Sequence, residues 1–108
     1  MRAREIVDDT PVYLIGYDLH GKTDIDYTNI NNDIEKIFPT HLRILGSTWL
    51  VRTYKNAEEI VNALEKHFSG KDKLLVIHVG EEISSKGLAK QANDTIRSWL
   101  LSKSLALK

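Results

Sequence analysis

Apolar positions along the chain follow two periods, one that suits strands and one that suits helices. Pro11 precedes Val12-Tyr13-Leu14-Ile15-Gly16-Tyr17-Asp18-Leu19, a β-branched and aromatic run that predicts a first strand. Proline fits a strand's first residue because no ladder N–H is needed there, and Asp18 falls at the strand's C-terminal end. Residues 20–26 are polar with a glycine and predict a loop. From Tyr27 to Phe38, Ile30, Ile34, Ile37 and Phe38 share one helical face, and Pro39 stops the helix. His41 to Leu45 and Thr48 to Tyr54 flank Gly46-Ser47 and read as a hairpin. Asn56 with Glu59 three residues later predicts a capped helix, with Ala57, Ile60, Val61, Leu64 and Phe68 on one stripe that ends near Gly70. Lys73 to Val79 is a continuous apolar run between Asp72 and Gly80, the pattern of an interior strand covered on both faces. After a loop over 81–91, Asn93 or Asp94 caps a final helix to about Leu105, with Ile96, Trp99, Leu100 and Lys103 at helical spacing.

The order β, α, β, β, α, β plus a terminal helix predicts an α+β fold of ferredoxin-like type, a four-stranded antiparallel sheet with two helices on one face. Residues 1–10 read as an N-terminal extension, 11–80 as the ferredoxin-like domain, and 81–108 as a loop and C-terminal helix of the same domain. The sheet's other face needs a cover, either the terminal helix or a second copy of the chain. With 108 residues the chain suits one core without disulfide or metal staples. It has no Cys, which excludes a thiolate zinc site, a thiol nucleophile and a disulfide framework. Fifteen Lys and Arg balance fifteen Asp and Glu, so a nucleic-acid partner is disfavoured, because affinity for phosphate chains rests on excess positive charge. Met1 to Thr10 is charged and no uncharged run approaches a membrane span, so we expect a cytoplasmic protein with no membrane contact.

Gly16-Tyr17-Asp18-Leu19-His20-Gly21-Lys22-Thr23 satisfies G-x-x-x-x-G-K-[ST] directly after a strand, the pattern in which backbone N–H groups cradle phosphates, Lys22 reaches the β and γ oxygens and Thr23 holds magnesium. The polar stretch Asp24-Ile25-Asp26 opposes it, since the predicted helix begins later and two carboxylates face any bound anion. Asp24, Asp26, Thr28, Ile30, Asn32 and Glu35 match the spacing of a calcium loop, but Asn29 stands where that loop needs glycine, and chance explains the match better. Asp18 ends an apolar strand where an ion or ligand can approach, and in a two-fold dimer two copies could share one magnesium. Its alternative role is a turn carboxylate accepting loop N–H bonds. His20 could join Asp18 and Asp24 around a metal, but beside a loop glycine it reads as a solvated residue, and His78 reads as a hydrogen-bonded core residue. His41 and His67 sit at element ends with no partner named by spacing. Trp49 packs the core or a dimer face, Trp99 docks the last helix, and Arg43 and Arg52 read as a solvent-side pair across the hairpin.

Three segments together, Tyr13 to Leu19, Ser47-Thr48-Trp49-Leu50-Val51 and Asp72 to Ile77, resemble small bacterial proteins often labelled SinR family. More distantly they resemble the CRISPR adaptation-complex ferredoxin-like nucleases and the virulence-associated protein D group. The resemblance covers about residues 12–80 and implies a homodimer. Tyr17 and Asp18 match the Tyr-Asp at the end of that family's first strand, and Ser47 matches its serine between the second and third strands. The implied activity is magnesium-dependent cleavage of RNA or DNA, with Asp18 as catalytic and metal-binding residue and Tyr17 and Ser47 as binding residues. The sequence departs from those relatives around the first helix, where Asp24 and Asp26 of the loop and Asp33 and Glu35 of the helix occur without a basic residue over 24–35 and repel a phosphate chain. Three readings therefore stand: a magnesium-dependent nuclease using Asp18; a non-catalytic dimer binding a protein or nucleic acid, as a toxin–antitoxin or defence accessory does; and nucleotide binding through Gly16 to Thr23, with Lys22 and Thr23 on the phosphates.

Overall fold

A computed structural model describes residues 10–80 and 86–106, and side chains up to Trp99. Its elements are β1 (Val12–Asp18), α1 (Asp24–Ile37), β2 (His41–Leu45), β3 (Thr48–Arg52), α2 (Ala57–Leu64) continued by a 3-10 turn over Glu65–His67, β4 (Lys73–His78) and α3 (Lys90–Ala106). The sheet runs in the order β2-β3-β1-β4 with every neighbouring pair antiparallel. This is the ferredoxin-like α+β arrangement expected from the element order. Most of the predicted N-terminal extension, 1–9, and part of the predicted loop, 81–85, lie outside the described residues, as do the side chains of Leu100 and Lys103.

Side chains alternate across the pleat of β1, and that alternation builds two apolar layers. Ile15 and Tyr17 join Trp49 and Val51 of β3, Ile30 and Ile34 of α1, and Ile60 and Leu64 of α2 in the main core. On the opposite face Val12 and Leu50 pack with Ile96 of α3, with Leu14, Leu42, Ile44 and Trp99 around them. The terminal helix thus covers part of the second face, at the end of β1 away from Asp18.

Inside the main core the polar atoms of the aromatic residues satisfy one another. The Trp49 indole N–H donates to the Tyr17 hydroxyl at 3.1 Å, and that hydroxyl donates to Asn31 Oδ1 on α1. Burial raises the Tyr17 pKa, with the Trp49 hydrogen bond opposing the shift. The tyrosine ring also meets Tyr27 and, edge-on, Phe68, with centroids 6.2 Å away in each case.

Several local expectations need correction. α1 begins at Asp24, not Tyr27, because the Asp26 carboxylate accepts from the Thr23 backbone N–H at 2.9 Å and from its hydroxyl at 3.1 Å. The aspartates read as loop residues are a first helical turn, where negative charge suits the helix dipole. Those Thr23 bonds hold the Asp26 carboxyl below the usual range. α2 starts as predicted, with Asn56 Oδ1 accepting from the Glu59 N–H at 2.8 Å and the Glu59 carboxylate accepting from the Asn56 N–H at 3.0 Å. α3 begins at Lys90, so Asn93 and Asp94 lie inside its first turns rather than capping it, and Asp94 pairs with Lys90 at 2.7 Å.

β4 is an edge strand, not an interior one. Leu74 and Val76 pack under the helices, but Leu75 and Ile77 remain 57% and 48% exposed, and His78 is exposed rather than in the core. Arg43 and Arg52 lie on opposite faces and so do not pair with each other across the hairpin. Arg43 sits 5.8 Å from the Trp49 ring on the helix side, and Arg52 5.8 Å from the Trp99 ring on the other. The two histidines without predicted partners have them: His41 Nδ1 lies 2.7 Å from the Phe38 carbonyl, and His67 Nε2 lies 2.8 Å from Asp33. Burial pushes the Asp33 carboxyl up, but His67 and Lys66 together outweigh it and hold it low.

Replacing Tyr17 by Phe removes the hydroxyl that both the Trp49 N–H and Asn31 use. Urea unfolding of Tyr17→Phe is expected to show a loss of about 1–3 kcal/mol, the cost of leaving a buried polar group unsatisfied.

Candidate functional site

Four chain segments meet at one end of the sheet: the end of β1, the Gly46-Ser47 turn, the loop from Leu19 to Thr23, and the turn from Ser69 to Asp72. The Tyr17 N–H donates to the Ser47 carbonyl at 3.1 Å, which sets the β2–β3 turn beside the end of β1. Asp18 lies directly across the ladder from Lys73 of β4. Gly16, Tyr17, Asp18, Lys73, Leu74 and Leu75 line an open groove of about 300 Å³ along these two strands.

The alternation of β1 separates two of the predicted site residues. Tyr17 is buried beneath α1, its hydroxyl engaged by Trp49 and Asn31, whereas Asp18 is exposed on the opposite face. Among the described residues no hydrogen bond or ion pair holds the Asp18 carboxylate. Ser47 is half-buried in the hairpin turn and contributes its carbonyl to β1.

The turn carboxylate considered for Asp18 is found instead at Asp72. Its side chain is 1% exposed. One oxygen accepts from the His20 N–H at 2.7 Å, and the other from the Ser69 N–H at 2.9 Å. Lys22 closes the arrangement, 3.5 Å from Asp72 and 3.3 Å from the Ser69 hydroxyl. The Ser69 and His20 N–H groups, helped by the Lys22 ammonium, hold the Asp72 carboxyl below the usual range. Gly21 and Gly70 take positive φ of 68° and 57°, so both loops bend where only glycine is unstrained. In the sequence Asp72 stands out as the boundary of an apolar run and the start of a resembling segment, not as a turn carboxylate. The signal available was Ser69-Gly70-Lys71-Asp72, a turn sequence whose Asp can bond backbone N–H groups.

This clamp changes the standing of the G-x-x-x-x-G-K-[ST] match. The helix does begin directly after Thr23, contrary to the expected later start. Lys22, however, is turned to Asp72 and Ser69, Thr23 is bonded to Asp26, and the sheet is antiparallel throughout. The calcium-like spacing lies on the continuous helix α1, whose 14 residues cannot wrap an ion, and the Thr28 hydroxyl is spent on the Asp24 carbonyl at 2.9 Å. Among the described residues no group of three or more His, Asp or Glu side chains could hold a metal ion, and no helix is long and apolar enough to cross a membrane. No protein-family model matches the chain, and no curated protein matches it.

Two outcomes test the clamp. Lys22→Ala is expected to lower the thermal unfolding midpoint, and calorimetric titration with ATP should give no heat with either protein. Binding heat in the wild type that vanishes in the variant would restore the nucleotide reading. Because the folded-state pKa of Asp72 is depressed, its contribution is present above the unfolded value and lost as pH falls through the folded one. Asp72→Asn should therefore be less stable at neutral pH and lose less stability than wild type on acidification from about pH 5 to about pH 3.

Proposed function

We propose that the chain acts as a homodimeric, non-catalytic binding module that engages a protein partner, in the manner of a toxin–antitoxin or phage-defence accessory. The observation that carries this reading is the uncovered apolar stretch on the second sheet face, where Leu75 and Ile77 stand exposed beside the Asp18 groove. Large apolar side chains grouped on one exposed face mark an interaction surface. The formal charge of zero opposes no copy to another, and a chain near neutrality associates readily. α1 carries Asp24, Asp26, Asp33 and Glu35 against Lys36 alone, which suits a protein partner better than a phosphate chain. The resemblance of Tyr13 to Leu19, Ser47 to Val51 and Asp72 to Ile77 to the dimeric CRISPR-adaptation-nuclease group supports the same assembly.

A second reading, a magnesium-dependent nuclease, is favoured by the exposed, uncommitted Asp18 carboxylate at the strand end. One carboxylate from each copy would hold the ion, and magnesium so bound would activate water and offset phosphate charge. Lys73 weighs against it. Directly opposed residues in an antiparallel ladder have Cβ atoms about 4.5–5.5 Å apart, so its ammonium competes with a cation for Asp18.

Light scattering at increasing concentration is expected to report twice the chain mass, with no cleavage of single- or double-stranded RNA or DNA in magnesium. Cleavage that requires magnesium and is lost in Asp18→Ala would replace the first reading by the second. A monomer at every concentration would remove both.

A further inference from the structure

We infer that two copies of the chain join through their β4 edges, antiparallel and centred on Val76, to make one eight-stranded sheet. This rests on the homodimer proposed above and names its interface. The Val79 N–H donates to the Val12 carbonyl at 2.9 Å, and Ile77, Leu75 and Lys73 lie opposite Leu14, Gly16 and Asp18. Backbone groups of successive strand residues point to alternate sides. The odd-numbered residues of β4 therefore bond to β1, and Leu74 and Val76 direct their N–H and C=O groups away from the sheet.

Exposed edges are normally blunted by proline, a bulge or inward-pointing charge. β4 contains no proline, pairs with β1 without a register shift, and carries its only Lys at its first position. A second β4 is the occupant that matches this edge. With Val76 opposite Val76 of the partner subunit, Leu75 lies opposite Ile77 of the partner subunit and the reverse. Four apolar side chains, each copy's share now 57% and 48% exposed, become one patch across the seam. A register centred on Leu75 would instead set Lys73 against Ile77, opposing charge to an apolar side chain. The two neutral chains add no like-charge cost on meeting.

The absence of Cys allows a direct test, because a single introduced thiol has no competitor. Residues paired across a two-fold at a hydrogen-bonded position have Cα atoms about 5.5 Å apart, within the roughly 4.4–6.8 Å that a disulfide spans. Oxidised Val76→Cys is expected to run mainly as a covalent dimer, while Leu45→Cys, exposed on the opposite edge, stays monomeric on a non-reducing gel. A double variant, Leu75→Lys with Ile77→Lys, changes only exposed side chains and should halve the mass seen by light scattering while leaving the circular dichroism spectrum unchanged. If the wild type is dimeric but Val76→Cys does not cross-link and the lysine variant stays dimeric, the β4 interface is wrong and the dimer stands. If the wild type is monomeric, with β4 covered by another part of its own chain or left for a different protein, both fall.

Discussion

The alternation of side chains along β1 is the constraint on which the rest of the structure depends. Bonded to β3 on one side and β4 on the other, the strand has no freedom to shift register without exchanging its two faces. Its odd positions carry Ile15 and Tyr17 into the helix-covered core, and its even positions carry Val12 and Asp18 to the other side. Tyr17 and Asp18 are adjacent in sequence yet serve opposite faces. One anchors α1 through Asn31 and β3 through Trp49, and the other is left in solvent. Any shared role for the two must therefore act through the backbone between them.

The sheet end beside Asp18 is held by charge rather than by apolar packing. Asp72 gathers the N–H groups of two loops and the Lys22 ammonium, so the segment with the appearance of a phosphate loop is part of the scaffold. A depressed carboxyl pKa at Asp72 is the electrostatic signature of that role. Its effect is to fix the loops next to the Asp18 groove.

Element identity was largely legible from the sequence, and exposure was not. Asn56 with Glu59 marked the start of α2 through a local capping pattern, and Pro11, Gly46-Ser47 and Pro39 marked turns and ends whose chemistry is equally local. β4 shows where this legibility stops. Its unbroken apolar run is what a doubly covered strand looks like, but α3 covers the far end of the second face, and only the tertiary arrangement reveals that Leu75 and Ile77 are left out. α1 began earlier than its apolar period implied, because Thr23 and Asp26 extend a helix by polar bonds that carry no hydrophobic signal. The sequence also offered Asp18 as a turn carboxylate, a role that a residue 54 positions away performs. The Asp72 bond to the Ser69 N–H is local and belongs to a recognisable turn, but its bond to the His20 N–H spans 52 residues and leaves no trace in spacing.

Among the described residues the second face of the sheet is thus closed at one end by α3 and open at the other, and the open end adjoins an edge strand with unblunted backbone. The proposed self-association joins these features into one account: it sets Leu75 and Ile77 beside their counterparts across the seam, pairs the outward groups of Leu74 and Val76, and needs no charge on a neutral chain. Residue-resolved amide hydrogen exchange in β4, at low and high protein concentration, tests this most directly. The account predicts that the Leu75 and Ile77 amides, bonded to β1, exchange slowly throughout, and that those of Leu74 and Val76 are protected at high concentration. Leu74 and Val76 amides that exchange at the rate of an unstructured chain at the highest concentration would contradict it.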